Sequence, residues 1–572
     1  MSPRHDKPDS PLEAWLKSAT DWLDTVHRSV PAAGESGAPG AQTELSALAR
    51  ASKAYWDQQA AIWSRLWHAG TQGGDEDTGA PDAPQDKRFL DREWREHPWY
   101  NAIRQSYLAN SRLITDVVES VDLDASTKQK LRFFARQLID AASPANFAAT
   151  NPEVARLVRE SGGKSVAQGL ANLSHDLARR QISITDETAF EVGRDVAVSP
   201  GAVVFECELM ELIQYAPLTE QVASRPLVIV PPCVNKFYVL DLQPANSFVR
   251  YACEQGYTVF LVSWRNPDAS LGHLRWDDYV ERGVLQAIQV ARSISEADKV
   301  NTLGWCVGGT MLACALAVQR ARAEDTVASM TLLTVLLDFA QPGDLGAFVD
   351  ETGVRYREAT IGQGGIFSGK DLALVFQMLR ANDLLWPYHV DQYLKGGQSP
   401  PFDLLYWNAD TTNLPGPMLA WLLRNTYLEN NLRVPGKVKV CGYPLDFGAI
   451  DVPGYVLATE ADHIVPWQAA YQSALLIGGQ PEFVLAASGH IAGVINPPSA
   501  RKRSYQTRKS LAQTAAAWLA GATAHPGSWW THWSEWLRRH AGETIAAPTR
   551  PGNETWVPLA PAPGRYVKVR SS

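Results

Sequence analysis

The fold of this chain is decided by Val300–Gly309, with the sequence VNTLGWCVGG, and by the apolar run Met311–Ala317, MLACALA, that follows it. The first residues predict a strand, and the apolar run predicts a helix directly after the glycines. A tight strand-to-helix turn needs glycine on both sides of its central residue, here Cys306, and lifts that side chain above the carboxyl edge of a sheet. We therefore predict a nucleophile elbow with cysteine in place of serine, its sulfur at a helix N-terminus that favours the thiolate.

Such an elbow needs an acid and a base later in the chain, in the order nucleophile, acid, base. Asp462 and His490 each follow a predicted apolar strand, so both lie in loops at the carboxyl edge of the sheet. Glu460 is the competing acid and His463 the competing base. Because His463 shares a loop with Asp462, we expect it to order that loop or to contact the substrate.

The three residue types divide the chemical work between them. His490 would take the proton from the Cys306 thiol, and Asp462 would fix the imidazole tautomer and stabilise its charged form. A thiolate that attacks a thioester forms another thioester of similar free energy, so the acyl group stays activated for transfer to an alcohol. Serine would leave an ordinary ester, which is a poorer donor. Cysteine therefore indicates acyl-CoA chemistry with onward transfer, although hydrolysis also stays open.

Backbone N–H groups should bind the oxyanion that forms in such a reaction. One donor is predicted to be Val307, directly after the nucleophile. The second is expected in the loop that follows the predicted strand Leu227–Val230. This loop begins with two prolines, which have no N–H, so the donor lies beyond them, and we predict Val234.

The sequence pattern changes after about residue 196. Residues 88–196 show helical periodicity and predict a helical N-terminal domain. In residues 197–572 short apolar strands alternate with amphipathic helices, which predicts a catalytic domain with a parallel sheet covered on both faces. Residues 341–439 exceed the length of a normal crossover, so we predict a cap over the active site. Together with the elbow, this pattern predicts an α/β-hydrolase fold with a cap insertion.

Residues 1–87 are predicted to be an appendage of helices joined by the Gly/Ala/Pro-rich linkers Pro31–Gln42 and Gly70–Gln85. Of the 20 tryptophans, 13 lie before residue 101 or after residue 517, and many repeat at helical spacing. The repeats form three stripes: Leu12, Trp15, Leu16, Ala19, Trp22, Leu23 and Val26; Trp56, Trp63 and Trp67; and Trp529, Trp533 and Trp536. Each stripe either packs on the globular body or adheres to an apolar surface or partner.

Composition and charge exclude several classes of protein. The net charge is −8 without a dense basic block, so we expect no nucleic-acid partner. The six cysteines form no CxxC pair, which argues against a disulfide framework or a zinc site and favours a reducing cytoplasm. No signal peptide, membrane-spanning run, metal-ligand cluster or nucleotide fingerprint stands out. We therefore expect a protein that is neither exported nor membrane-spanning and that needs no metal or cofactor.

Several strings of the sequence together resemble polyhydroxyalkanoate synthases, the bacterial enzymes that polymerise 3-hydroxyacyl-CoA. Besides GWCVGG, the strings are SPANF at 143–147, FEVGR at 190–194, PPCVNKFYVLDLQP at 231–244, SWRNP at 263–267, DHIVPW at 462–467, GHIAG at 489–493 and PGSWW at 526–530. The resemblance runs from about residue 89 to the C-terminus, and the residues before 88 do not match. It implies that Cys306, Asp462 and His490 are the catalytic residues.

The resemblance also implies a subclass and a set of partners. The long chain and the PPCVNKFYVLDLQP form resemble class I synthases, which prefer short-chain monomers such as 3-hydroxybutyryl-CoA and work without a second type of subunit. The implied partners are the acyl-CoA, the growing polyester chain, the granule surface with its associated proteins, and a second copy in a homodimer. This implies a cytoplasmic enzyme at polymer granules. We expect Asn235, His463 and Trp305 to contact the substrate.

The implied cycle loads an acyl group on Cys306 with release of CoA, after which the 3-hydroxyl of a growing chain or an incoming monomer attacks the thioester. The sequence leaves open whether His490 or Asp462 deprotonates that hydroxyl. A thioesterase or depolymerase with the same triad is the nearest alternative function. A granule scaffold without catalytic activity is an alternative of another class, to which the tryptophan stripes would also belong.

Overall fold

The computed structural model describes residues 52–67, 86–179 and 181–570. The chain divides into two compact units, one of Met1–Leu170 with His389–Gly396 and one of Ala171–Tyr388 with Gly397–Ser572. The predicted stripe from Leu12 to Val26 lies outside the described residues. Among the helices that are described, none combines the length and the apolar character needed to cross a membrane.

The first unit is helical, and capping residues mark where its helices begin. Its helices are α1 (residues 52–67), α2 (Pro98–Ser120), α3 (Ala125–Ala141), α4 (Pro152–Glu160) and α5 (Lys164–Arg179), the last of which contains the boundary between the units. Asp124 caps α3 by accepting two backbone N–H bonds, and Asn151 caps α4 in the same way. Phe89, Trp94 and Tyr107 form a small aromatic core.

The segment His389–Gly396 belongs to the helical unit although it lies within the predicted cap in sequence. Lys395 forms an ion pair with Glu153 at 2.6 Å, and His389 Nε2 lies 3.1 Å from the carbonyl oxygen of Asn146. The helical unit therefore draws on two separate parts of the chain.

The second unit is built around a mixed sheet in which eleven of the described strands take part. The strands of the unit are β1 (Gly201–Glu206), β2 (Met210–Tyr215), β3 (Gln221–Ala223), β4 (Leu227–Val230), β5 (Val259–Trp264), β6 (Val300–Trp305), β7 (Val327–Leu333), β8 (Ile366–Phe367), β9 (Leu414–Pro415), β10 (Lys439–Val440), β11 (Tyr443–Pro444), β12 (Gly454–Thr459), β13 (Glu482–Ala486), β14 (Ser504–Thr507), β15 (Thr523–Pro526), β16 (Thr544–Ala546) and β17 (Ala560–Pro561). The order in the sheet is β15-β14-β13-β12-β7-β6-β4-β5-β2-β1-β17. The six central strands, β13 to β5, are parallel, so the α/β prediction is confirmed.

The antiparallel strands at the two edges of the sheet are not predicted from the sequence. The reason is visible in β2, where Glu211 and Gln214 are buried among apolar residues and interrupt the continuous apolar pattern that marks a central strand. Glu211 is satisfied by the backbone N–H groups of Arg565 and Tyr566, which come from the far end of the chain. A partner so distant in sequence leaves no local signal.

Helices cover both faces of the sheet. The longer helices of this unit are α6 (Phe248–Glu254), α7 (Gln286–Ser295), α8 (Val307–Ala321), α9 (Glu351–Thr360), α10 (Gly369–Leu379), α11 (Asp403–Ala409), α12 (Gly416–Leu423), α13 (Trp467–Leu475), α14 (Ala515–Ala520) and α15 (Trp529–Arg538). Along β4, Val228 and Val230 pack in one core cluster with α7 and α8, while Leu227 and Ile229 pack in another with α6 and α15. This alternation confirms a sheet that is buried on both faces. Helices α9 to α12 follow β7 and precede β12, within the range of the predicted cap.

The tryptophan stripe at the far end of the chain is part of the core. Trp529, Trp533 and Trp536 on α15 are at most 3% exposed, and the Trp529 and Trp533 rings pack against Phe248. Adhesion to an outside surface is therefore the wrong interpretation for this stripe. The stripe on α1 differs, because Trp56 is 67% exposed.

Candidate active site

Cys306 lies at a strained turn between β6 and α8. Its backbone has φ 51° and ψ −131°, in the left-handed half of the map, where a residue other than glycine costs on the order of 1–3 kcal/mol. Three backbone bonds hold the turn: the Cys306 N–H donates to Leu333 O at 3.0 Å, and Cys306 O accepts the N–H groups of Gly309 at 2.9 Å and Thr310 at 3.2 Å. A Cβ on Gly308 would lie 2.4 Å from Pro231 O. The structure thus has the predicted elbow and shows why glycine follows it.

His490 and Asp462 form a direct hydrogen bond at the carboxyl edge of the sheet. His490 Nδ1 and Asp462 Oδ2 are 2.7 Å apart, and both residues are buried. The other carboxylate oxygen, Oδ1, accepts the N–H groups of Ile464 at 2.9 Å and Val465 at 2.8 Å, and Thr459 Oγ1 donates to Oδ2 at 3.2 Å. Burial alone would raise the pKa of Asp462, but His490 and these N–H donors outweigh it and hold the pKa below its usual value.

The Cys306 thiol lies near enough to the His490 ring to influence the pKa of the imidazole. Burial alone would lower the pKa of His490. The charges of Asp462 and Cys306 act against burial and raise the pKa of the imidazole well above its usual value. The three predicted residues are thus brought together at one place, and the pKa directions of His490 and Asp462 favour an imidazolium beside the Asp462 carboxylate.

The competing acid and base lie outside this group of residues. Glu460 accepts a hydrogen bond from Gln506 Nε2 at 2.7 Å on the exposed surface. His463 is half-buried, and burial above all lowers its pKa to about 4, so the ring is neutral at physiological pH. Its carbonyl oxygen accepts the Asp344 N–H at 3.0 Å, which ties the acid loop to the first residues of the predicted cap.

Trp305 is a buried neighbour of the catalytic histidine. The side chain is 1% exposed, its ring centroid lies 6.4 Å from that of His490, and Nε1 donates to Thr334 Oγ1 at 3.0 Å. Such burial leaves little surface for a substrate and makes Trp305 a support for the histidine. Thr334 is a residue that the sequence reasoning missed. It has φ 48°, rare for a β-branched residue, and no sequence pattern marks it.

The loop after β4 lies beside the elbow and is held from two sides. The Thr412 N–H donates to Val234 O at 3.2 Å, and Asn235 forms an isolated antiparallel bridge with Thr411. On the other side, Trp264 Nε1 donates to Pro231 O at 2.9 Å. Val307 begins α8, so its N–H lies in the first turn, where helical backbone donors have no partner within the helix.

The neighbouring Cys233 is not an alternative nucleophile. Its thiol is buried, and burial above all, with a smaller effect of Cys306, raises its pKa. A thiol in this state stays protonated and unreactive.

The SWRNP string has a structural role that the sequence did not reveal. Asn266 Oδ1 accepts the Asn413 N–H at 2.9 Å, and Asn413 Oδ1 in turn accepts the Gly369 N–H at 2.8 Å. The string therefore fixes the segment between α11 and α12 and the start of α10. Two of its side chains, Trp264 and Asn266, thus hold the elements around the elbow.

Comparison with known proteins gives two family matches. Residues 85–252 match the model described as "Poly-beta-hydroxybutyrate polymerase (PhaC) N-terminus". Residues 226–497 match the model described as "alpha/beta hydrolase fold". The second range contains all three residues of the Cys306, His490 and Asp462 cluster.

Similar proteins extend over nearly the whole chain. The poly(3-hydroxyalkanoate) polymerase subunit PhaC of Cupriavidus necator is 52% identical over 97% of this chain and 95% of its own length. A poly(3-hydroxyalkanoate) polymerase of Methylorubrum extorquens is 39% identical, with 97% and 92% covered. Poly(3-hydroxyalkanoate) polymerase 2 of Ectopseudomonas oleovorans is 41% identical, with 86% and 88% covered. The chain therefore belongs to the poly(3-hydroxyalkanoate) polymerase family and is an acyltransferase-type enzyme built on the α/β-hydrolase fold.

Proposed function

We propose that this enzyme polymerises (R)-3-hydroxyacyl-CoA into polyhydroxyalkanoate, with release of CoA, through a thioester on Cys306. The observation that carries the proposal is the 2.7 Å bond between His490 and Asp462, with the histidine ring beside Cys306 at the elbow. This arrangement supplies an activated thiolate. The names of the relatives support polymer formation as the outcome. Acyl-CoA is the substrate and CoA the product, so the proposal requires no cofactor.

The first step transfers the acyl group to the enzyme. The Cys306 thiolate attacks the carbonyl carbon of the acyl-CoA thioester, and the backbone N–H groups of Val307 and Val234 bind the oxyanion. The bond between the carbonyl carbon and the CoA sulfur then breaks. The CoA thiolate takes the proton that His490 carries, which leaves the imidazole neutral.

The second step needs a base for the 3-hydroxyl, and the hydrogen bonds of Asp462 favour His490 for this role. A carboxylate offers about four acceptor positions, and Asp462 uses them for Thr459, Ile464, Val465 and His490. No position remains for a substrate hydroxyl. His490 therefore takes the hydroxyl proton, the alkoxide forms the new ester, and the Cys306 thiolate leaves beside the imidazolium.

The proposed size of the monomer has support from the same comparisons. The N-terminal match is to a poly-β-hydroxybutyrate polymerase, and the Cupriavidus necator relative is 52% identical. The description of the N-terminal family model supports short-chain monomers, with 3-hydroxybutyryl-CoA as the first choice. The half-buried, neutral His463 and the bridged Asn235 are proposed to line the path of the substrate.

The proposed partners outside the site are the growing polyester chain and the granule surface in the cytoplasm, granule-associated proteins, and a second copy in a homodimer. The exposed tryptophans of α1 support contact with the polymer. Trp56 is 67% exposed and Trp63 is 45% exposed, and indole rings suit the boundary between an apolar solid and water.

The test uses the full chain with 3-hydroxybutyryl-CoA, and then with monomers of increasing length. We expect the wild type to release CoA and form insoluble polymer, whereas Cys306→Ala releases none and Cys306→Ser is at least about a hundredfold slower. Cys441→Ala is the matched control, because Cys441 is also a half-buried free cysteine but lies outside the site. It should behave as the wild type.

Three outcomes would count against the proposal. Free 3-hydroxybutyrate without polymer would support the thioesterase reading of the same triad. CoA release that persists in Cys306→Ala would exclude the thioester mechanism. A wild type that releases no CoA would support the alternative of a granule scaffold without catalytic activity.

A further inference from the structure

Lys236, at the end of the loop that holds Val234, is buried, and the proposed chemistry does not use it. It is 3% exposed, and its Nζ donates to Val569 O at 2.6 Å and lies 3.5 Å from Tyr566 O. Burial lowers the pKa of this ammonium, with Asp410 acting in the opposite direction. A buried amino group that donates its N–H groups to main-chain oxygens far along the chain is suited to a structural role.

The tail that Lys236 contacts is itself firmly attached to the sheet. The buried Glu211 on β2 accepts the N–H groups of Arg565 and Tyr566 at 3.2 and 3.1 Å. The Tyr566 hydroxyl donates to Cys207 O at 2.9 Å. The main-chain oxygens that accept hydrogen bonds from Lys236 are therefore held in place by the sheet.

The opposite side of the loop is held by the segment around α11. Trp407 Nε1 donates to the carbonyl oxygen of Lys236 at 2.6 Å, and the Tyr238 hydroxyl donates to Asp410 Oδ2 at 2.9 Å. Two residues before Lys236, the carbonyl oxygen of Val234 accepts the Thr412 N–H. The loop is thus clamped between the tail and this segment, and Lys236 forms the bonds to the tail.

We infer that Lys236 is a positioning residue, whose ammonium ties the loop to the C-terminal tail so that the Val234 N–H is held where the oxyanion forms. The inference rests on the proposed function, because it gives Val234 its role. A displacement of about 1 Å at a catalytic group can cost about a hundredfold in rate, and loss of an oxyanion donor costs about 10²–10³-fold. Release of one side of the loop should therefore slow acylation without disturbing the triad.

The test compares Lys236→Met with the wild type in two measurements. We expect kcat for CoA release from 3-hydroxybutyryl-CoA to fall about 10–100-fold, with KM changed less than about twofold. The rate at which iodoacetamide alkylates Cys306 should change less than about twofold, because alkylation needs the thiolate but no oxyanion donor. A merely structural loss would lower both rates together.

A matched control and a rescue sharpen the test. Lys128 also donates its Nζ to two main-chain oxygens, Glu119 O at 2.7 Å and Val121 O at 3.2 Å, but lies in the helical unit. Lys128→Met should leave kcat within about twofold. In Lys236→Ala, ethylammonium should restore part of the lost kcat, whereas the bulkier tetramethylammonium, which has no N–H, should not.

The inference is overturned if Lys236→Met keeps its kcat, or if kcat and Cys306 alkylation fall in parallel. Failure of the proposed function would be distinguishable, because it would show as CoA release that persists in Cys306→Ala. In that case Val234 would not be an oxyanion donor for Cys306, and the inference would fail whatever the kcat of Lys236→Met.

Discussion

The indole N–H of Trp305 donates to the hydroxyl oxygen of Thr334 at 3.0 Å, and this bond joins the elbow strand to the residue after β7. Thr334 also donates its backbone N–H to Leu457 O on β12 at 2.7 Å. The pair therefore links the strand before Cys306 with the strand before Asp462. Since the Trp305 and His490 ring centroids are 6.4 Å apart, we expect this link to help position the base.

Thr334→Val is expected to lower both stability and turnover. The substitution leaves a buried indole N–H without an acceptor, which costs about 1–3 kcal/mol of unfolding free energy. Thr331→Val is the matched control, because Trp533 Nε1 donates to Thr331 Oγ1 at 3.1 Å on β7, the strand that ends just before Thr334. Denaturant unfolding should show a similar loss in both variants, but only Thr334→Val should reduce kcat by about tenfold or more. Equal kcat values would contradict a link to His490.

Removal of the His490 side chain should change how stability depends on pH. The pKa of His490 is higher in the folded protein than in the unfolded chain, where it is about 6.5. The charged imidazole therefore stabilises the fold fully below pH 6.5, and this contribution is lost as the pH rises through the pKa of the folded protein. The unfolding free energy of the wild type minus that of His490→Gln should therefore decrease from pH 6 to pH 9. A flat difference over this range would show that the imidazole is not charged in the folded state.

His463 should give the opposite pH dependence. Its pKa is lowered to about 4, so protonation of the unfolded chain below about pH 6.5 destabilises the folded state. His463→Gln removes this effect. Its unfolding free energy minus that of the wild type should therefore be about 1–2 kcal/mol higher at pH 5 than at pH 7.5. The measurement is urea unfolding at the two pH values. A variant whose relative stability does not rise at pH 5 would rule out a buried neutral ring.

Gly308→Ala should damage the site severely. The new Cβ would lie 2.4 Å from Pro231 O and 2.5 Å from Val230 O, and these main-chain atoms cannot give way without moving the loop after β4. We expect a loss of at least about 2 kcal/mol in unfolding free energy and of at least about a hundredfold in kcat. Gly353→Ala, inside α9, is the control, because its nearest neighbour is the flexible end of Arg357 at 3.2 Å. It should be neutral or slightly stabilising, by up to about 1 kcal/mol.

The exposed tryptophans of α1 should matter for attachment and not for chemistry. A Trp56→Ser, Trp63→Ser variant is expected to sediment with polymer granules several-fold less than the wild type, while CoA release in solution stays within about twofold. Leu559→Ser, which changes an equally exposed apolar residue of the other unit, is the control and should sediment normally. Unchanged sedimentation of the tryptophan variant would exclude α1 as the attachment surface.

The residues that local pattern places correctly are those that adjoin parallel strands. Cys306, Asp462 and His490 each follow an apolar strand, and the carboxyl ends of neighbouring parallel strands necessarily meet at one edge of the sheet. Chain order then assigns the roles. The central strands were predictable for the same reason, because burial on both faces demands a continuous apolar run.

The supporting residues could not be found in this way, because their partners are remote. Thr334 becomes notable only through its φ of 48° and its bond to Trp305. Lys236 resembles an ordinary surface lysine until the tail, more than 300 residues later, is seen to cover it. The stripe on α15 likewise has the periodicity of a surface-binding helix, and only its packing against Phe248 shows that it is core.

The bond between Lys236 and Val569 also bears on synthesis of the protein in the cell. The ribosome synthesises the loop after β4 long before it reaches residue 569. A nascent chain can therefore form the elbow while Lys236 still lacks its hydrogen bond to Val569. Products that stop short of Val569 would carry a complete triad and yet turn over slowly. If Lys236 positions the loop as we infer, full activity requires that translation has passed Val569.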